Sequence, residues 1–83
     1  SVDVLFQSAA GLLRERVLGV VLTGMGDDGT AGAAWIKAQG GTILTEAEST
    51  CVIYGMPRMV EEAGLSDAVV PLPEMARAIL QRL

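Results

Sequence analysis

The sequence predicts an α/β fold of alternating β-α units around a parallel sheet. Three observations carry this. Apolar runs at "VLGVVL", "TILTEA" and "AVVPL" alternate with segments whose apolar residues recur at helical spacing. Glycine or proline punctuates the junctions between the two patterns. The first run is continuous and rich in β-branched residues, as a strand covered on both faces should be. The order reads α-β-α-β-α-β-α, which implies right-handed crossovers between parallel strands.

Each element has its own justification. Val2, Leu5, Phe6, Ala9 and Leu13 share one helical face, so residues 2–13 read as a helix that breaks near "RER". Asp3 suits its N-terminal dipole. Residues 17–22 form the first strand. Beyond a glycine-rich turn, Ala31, Ala34, Trp35 and Ala38 define the face of a second helix, closed by Gly40-Gly41. Residues 42–47 form the second strand. Residues 48–54 read as a loop with a helical turn, in which Ser49 or Thr50 could cap. Met56, Met59, Val60 and Ala63 share a third helical face, with Pro57 in its first turn and Gly64 at its end. Residues 68–72 form the third strand. Pro73 opens a last helix, with Met75, Ala76, Ile79, Leu80 and Leu83 directed inward.

With 83 residues there is one small domain at most. Apolar residues make up 51% and aromatics only 4%, so Val, Leu, Ile, Ala and Met build the core. Such an apolar excess also fits a fragment of a larger Rossmann-like three-layer domain, with surface meant for a missing part. The first residue is Ser1, which fits a processed chain or an excised segment.

Composition excludes several functions. Net charge is −4 with dispersed acids, which disfavours nucleic-acid binding. A single cysteine excludes an internal disulfide or a multi-cysteine metal site and suits a reducing compartment. No histidine is present, which removes the usual metal ligand and the usual general base. No apolar run approaches the length of a membrane span, about 18 residues. The start, "SVDVLF", is unlike a signal peptide. A cytoplasmic protein without metal or cofactor and without membrane insertion is therefore expected.

Chemistry concentrates in "VVLTGMGDDGT", residues 20–30. In open α/β sheets, sites gather at the C-terminal ends of strands, where this turn falls. Gly24 and Gly26 permit a sharp turn and close backbone approach. Amides on such a turn stabilise an anion, and an acid there can orient an imidazole. Other readings fit the same residues. Asp28 can cap the helix that begins near Gly29. Gly24, Gly26 and Gly29 follow G-x-G-x-x-G between strand and helix, as a nucleotide-binding half-domain would, and Glu46 lies near the distance expected for its ribose acid. Asp27 and Asp28 would, however, repel a pyrophosphate. The two acids could also help bind a divalent cation, but no further acids converge with them. A non-catalytic oligomerisation module that shields its sheet edge is a further alternative. Cys51 reads as a small buried apolar group. The methionines at 56 and 59 read as core, and Glu61 and Glu62 as a solvated face. Arg58 could pair with a nearby acid.

"GVVLTGMGDDGTAGAAWIKAQGG" followed by "TEAESTCVIYGMPRMVEEAG" resembles the C-terminal part of the CheB-type protein-glutamate methylesterase catalytic domain, and "SVDVLFQSAA" is similar to the helix before that strand. The resemblance covers essentially the whole chain, so residues 1–83 are expected to be one segment of that domain. It implies a parallel α/β sheet and a Ser-His-Asp triad that hydrolyses glutamyl γ-methyl esters of chemoreceptors and can deamidate glutamines. By position, Asp28 matches the triad aspartate and Met25 the residue whose N–H helps form the oxyanion hole. Asp27 occupies the variable position. The family's serine and histidine precede this region, and Ser1, Ser8, Ser49 and Ser66 do not match the nucleophile. Its receiver domain is also not in this stretch. The implied partners are a methylated chemoreceptor cytoplasmic segment and the remainder of the catalytic domain, or a second copy. No metal or cofactor is implied.

Overall fold

The computed structural model describes residues 14–24 and 29–83. The helix expected over residues 2–13 lies outside them. After a 3₁₀ turn at Arg14–Arg16, the described elements run β1 (Leu18–Val21), α1 (Thr30–Ala38), β2 (Thr42–Glu46), a 3₁₀ turn at Glu48–Thr50, α2 (Met56–Glu62), β3 (Ala68–Val70) and α3 (Leu72–Leu80). The strands form one parallel sheet in the order β1-β2-β3. Leu18 pairs with Thr42 and Val21 with Thr45, and Leu44 pairs with Ala68. The expected alternating α/β order is therefore present.

Strand alternation divides the core into two layers. Val21 and Ile43 face α1 and α2, where they pack with Ala33, Ile36 and Val60. Leu44 and Val70 face α3 and pack with Met75 and Ala78. Among the described strands, β2 is the one buried along nearly its whole length, because it has a strand on each side. β3 stops at Val70 because Pro71 has no N–H to donate to a ladder. The last helix begins at Leu72, with Pro73 in its first turn.

Both helix C-termini on the first layer end in Schellman motifs. In α1, Gly41 N–H donates to Ile36 O at 2.9 Å and Gly40 N–H to Lys37 O at 3.0 Å. In α2, Leu65 N–H donates to Val60 O at 3.1 Å and Gly64 N–H to Glu61 O at 2.9 Å. Gly40 and Gly64 supply the left-handed residue, at φ 86 and 74. Gly41 has a different constraint. A Cβ there would lie 2.5 Å from Ile36 Cγ2 and 2.9 Å from the Val17 carbonyl oxygen. That carbonyl is fixed by Thr42 N–H at 3.0 Å. Gly41→Ala should therefore destabilise by about 1–3 kcal/mol. At Gly64 a Cβ meets nothing within 4 Å, so Gly64→Ala should cost only the left-handed backbone penalty, about 1–2 kcal/mol. Urea unfolding of the two variants checks the order; equal, small losses would contradict the close approach at Gly41.

The helix faces need correction. Ala31, Ala34, Trp35 and Ala38 are exposed, and the buried face of α1 is Gly32, Ala33 and Ile36. A glycine contributes little to hydropathy, so the true inward stripe was the weaker pattern. In α2, Pro57 and Val60 are buried while Met59 is exposed and Ala63, at the C-cap, is exposed too. In α3, Met75 and Ala78 are buried, but Ala76 is exposed and Leu80 and Leu83 are 69% and 85% exposed. Those residues fall on an adjacent stripe that the three-stranded sheet does not reach.

Lys37 Nζ and Asp67 Oδ1 pair at 2.6 Å, and Asp67 Oδ2 accepts Ile43 N–H at 2.7 Å. Burial opposes the Asp67 charge, but Lys37 and the Ile43 amide outweigh it and hold the carboxyl below its ordinary value. Arg58 pairs with Glu62 one helical turn on, an exposed contact of little consequence for stability.

Candidate functional site

The C-terminal ends of the three strands meet around one carboxylate. Glu46, the last residue of β2, is 1% exposed. Its Oε1 accepts Thr23 N–H at 2.9 Å, beyond the end of β1. Its Oε2 accepts the Thr50 hydroxyl at 2.8 Å. Thr50 Oγ1 in turn accepts Leu72 N–H at 3.0 Å, at the start of α3. Ala47 N–H donates to Val70 O at 2.9 Å, completing the tie between β2 and β3. A buried carboxylate needs such donors, since an unsatisfied one would be strongly disfavoured.

A second strap joins the end of β1 to the loop before α2. Ile53 N–H donates to Thr23 Oγ1 at 2.8 Å, and the Thr23 hydroxyl donates to Ile53 O at 3.1 Å. Gly24 N–H donates to Ile53 O at 2.9 Å, and Gly24 O accepts the N–H groups of Gly55 and Met56, both at 2.9 Å. Gly24 thus makes a parallel bridge to Tyr54. A Cβ on Gly24 would lie 3.1 Å from Met56 Cε, so a side chain there would press on the start of α2. Residues 23 and 24 are fixed from two sides.

Met25, Gly26, Asp27 and Asp28 lie outside the described residues. Gly29 is buried at φ 106 and occupies the N-cap of α1. The cap position therefore falls on Gly29, not Asp28. Gly29 O receives Ala33 N–H at 2.8 Å.

Neighbouring groups are poor candidates for chemistry. Burial and then the nearby Glu46 push the Cys51 thiol up from its ordinary pKa, and its Sγ contacts Glu46 O at 3.7 Å. A raised thiol is a poor nucleophile. Tyr54 donates its hydroxyl to Glu61 Oε1, and that bond, with burial, pushes the phenol up to about 12. Glu61 is thus only partly solvated. Ser49 and Thr50 do not cap the 3₁₀ turn, whose cap residue is Ala47. Among the described residues no group of acids or cysteines could hold a metal ion. No described helix is long and apolar enough to cross a membrane.

The ribose reading of Glu46 fails on this geometry. Both its oxygens are occupied inside the protein, and almost none of its surface reaches solvent. The structural tie between Glu46, Thr23 and Thr50 was not recognised in the sequence. The available signal was a polar pair, Glu46 and Thr50, immediately after an apolar strand.

These features define a parallel α/β unit in which Thr23 and Gly24, beyond the end of the first strand, are strapped to the loops after the second. A family model described as CheB methylesterase matches residues 1–79. The chain belongs to the CheB methylesterase family. It is 61% identical, over 99% of its length, to a protein-glutamate methylesterase/protein-glutamine glutaminase 5 of Myxococcus xanthus, of which it covers 23%. It is 53% identical, over 98% of its length, to a protein-glutamate methylesterase/protein-glutamine glutaminase of Desulfitobacterium hafniense, of which it covers 21%. The crystal structure of the Thermotoga maritima CheB methylesterase catalytic domain superposes with a TM-score of 0.96 at 38% identity, covering 98% of this chain and 43% of that one. The chain thus spans less than a quarter of those relatives' length and less than half of that domain.

Proposed function

We propose that residues 1–83 are the C-terminal segment of a protein-glutamate methylesterase catalytic domain. The domain hydrolyses γ-methyl esters of glutamyl residues on the cytoplasmic segment of a chemoreceptor, releasing methanol, and deamidates receptor glutamines. One observation carries the reading. The sequence T-G-M-G-D-D-G begins at Thr23 and Gly24, which Glu46 and Ile53 hold in place, in a chain that matches the methylesterase family model through residue 79.

In this reading the remainder of the domain supplies a serine and a histidine. The serine attacks the ester carbonyl and the histidine takes its proton. Asp28 accepts a hydrogen bond from the histidine, fixes its tautomer and stabilises the imidazolium. The Met25 N–H donates to the oxyanion of the tetrahedral intermediate. Methanol leaves with the proton that the histidine returns. Water, activated by the same histidine, then hydrolyses the acyl-enzyme, which leaves a glutamyl γ-carboxylate in the receptor chain and returns the proton to the serine. No metal or cofactor takes part. Asp27 has no role in this sequence of steps.

Methanol release from a methylated chemoreceptor by the full-length protein carrying this segment tests the reading. Steady turnover is expected. A folded full-length protein that releases none, or that instead binds NAD in calorimetric titration, contradicts it.

A further inference from the structure

We propose that Glu46 is a positioning residue for the reaction: its carboxylate fixes Thr23, at the strand end that leads in sequence to Met25 and Asp28. This rests on the methylesterase reading above. The argument begins with cost. A carboxylate that is 1% exposed is an expensive group to keep in a core. An apolar residue at the end of β2 would satisfy packing alone. Glu46 spends both oxygens on other strand ends instead.

Its Oε1 takes the Thr23 amide, two residues before Met25, at 2.9 Å. Its Oε2 takes the Thr50 hydroxyl at 2.8 Å, and Thr50 Oγ1 holds the Leu72 amide at 3.0 Å. The carboxylate therefore connects the C-terminal ends of all three strands through a single side chain and one relay. Thr23 has left the β1–β2 ladder, whose register ends at Val21–Thr45, so its amide has no strand partner to fix it. Without Glu46, the Thr23 amide would lose this partner, and residues 23 and 24 would keep the strap to Ile53, Gly55 and Met56. Misplacement of a catalytic group by about 1 Å can cost on the order of 100-fold in rate.

The contrast between two substitutions separates this role from simple stability. Gln keeps an acceptor for Thr23 N–H. Its amide can donate to Thr50 Oγ1, whose proton can turn to Ala47 O, already 3.3 Å away. Met fills similar volume and offers no acceptor. In the full-length protein, Glu46→Met is expected to lower kcat for methanol release by about 10- to 100-fold per folded molecule, with KM changed by less than about threefold. Glu46→Gln is expected to restore kcat to within about threefold to fivefold of wild type. The folded fraction is measured by circular dichroism at the assay temperature. Should Glu46→Met not fold, Thr50→Val carries the test, with an expected loss in kcat of about threefold to tenfold.

Asp28→Asn is assayed in parallel. If Asp28→Asn loses activity while Glu46→Met (or Thr50→Val) keeps the wild-type kcat per folded molecule, the positioning role is overturned alone. Equal losses in Glu46→Met and Glu46→Gln also overturn it. If Asp28→Asn keeps full activity, the methylesterase reading fails and the positioning role fails with it.

Discussion

Asp28→Asn in the full-length protein is expected to lower kcat for ester hydrolysis by about 10⁴-fold, with the fold intact. The substitution keeps size and removes charge. An amide in place of the carboxylate can hold the imidazole in the wrong tautomer and cannot stabilise the imidazolium. Asp27→Asn removes one negative charge from the residue in the motif's variable position and should change kcat by less than about threefold. The pair separates a triad acid from a generally acidic turn. Small and equal losses at both positions would contradict the assignment. The N-cap reading makes a third pattern. Since the cap position falls on Gly29, loss of a cap at Asp28 should have little effect on stability.

The isolated 83-residue chain should show no ester hydrolysis at all. Its own side chains explain why. There is no histidine. Ser66 Oγ lies 2.7 Å from Thr45 Oγ1 and also bonds Ala68 O at 3.1 Å, so it is committed to the loop before β3. Ser49 sits exposed in a 3₁₀ turn, and no histidine is present to activate it. Burial pushes the Cys51 thiol up, and the bond to Glu61 pushes the Tyr54 phenol up to about 12. None of these supplies an activated nucleophile near pH 7. Methanol release by the purified segment, measured with labelled receptor, would contradict this.

The sheet was legible because strands announce themselves through continuous apolar runs, and residues 18–21 and 42–46 lie inside the predicted spans. Helix termini were legible because Gly40 and Gly64 must adopt left-handed backbone. Helix faces were less so. Small residues carry a weak periodic signal, and the exposed Ala31–Ala34–Trp35–Ala38 stripe outweighed a buried stripe that contains Gly32. In α3 the apolar stripe is wider than the sheet it covers, so Leu80 appeared inward although it is 69% exposed. In the site, the glycines marked the turn but not what holds it. Glu46 gave a misleading signal: its distance from the glycines suited a ribose ligand. Its actual partners, Thr23 and Thr50, lie 23 residues before it and four after it, and only the parallel register brings Thr23 to it.

The most direct measurement grafts the 82 residues of this chain that match the Myxococcus xanthus methylesterase into that enzyme in place of its own, and compares methanol release by the hybrid with and without Asp28→Asn. The segments are 61% identical over 82 residues, so the hybrid should fold. A hybrid within about tenfold of the parent enzyme, reduced about 10⁴-fold by Asp28→Asn, is the predicted result. A folded hybrid without turnover, or one indifferent to Asp28→Asn, would contradict the claim that this chain supplies the aspartate of the triad.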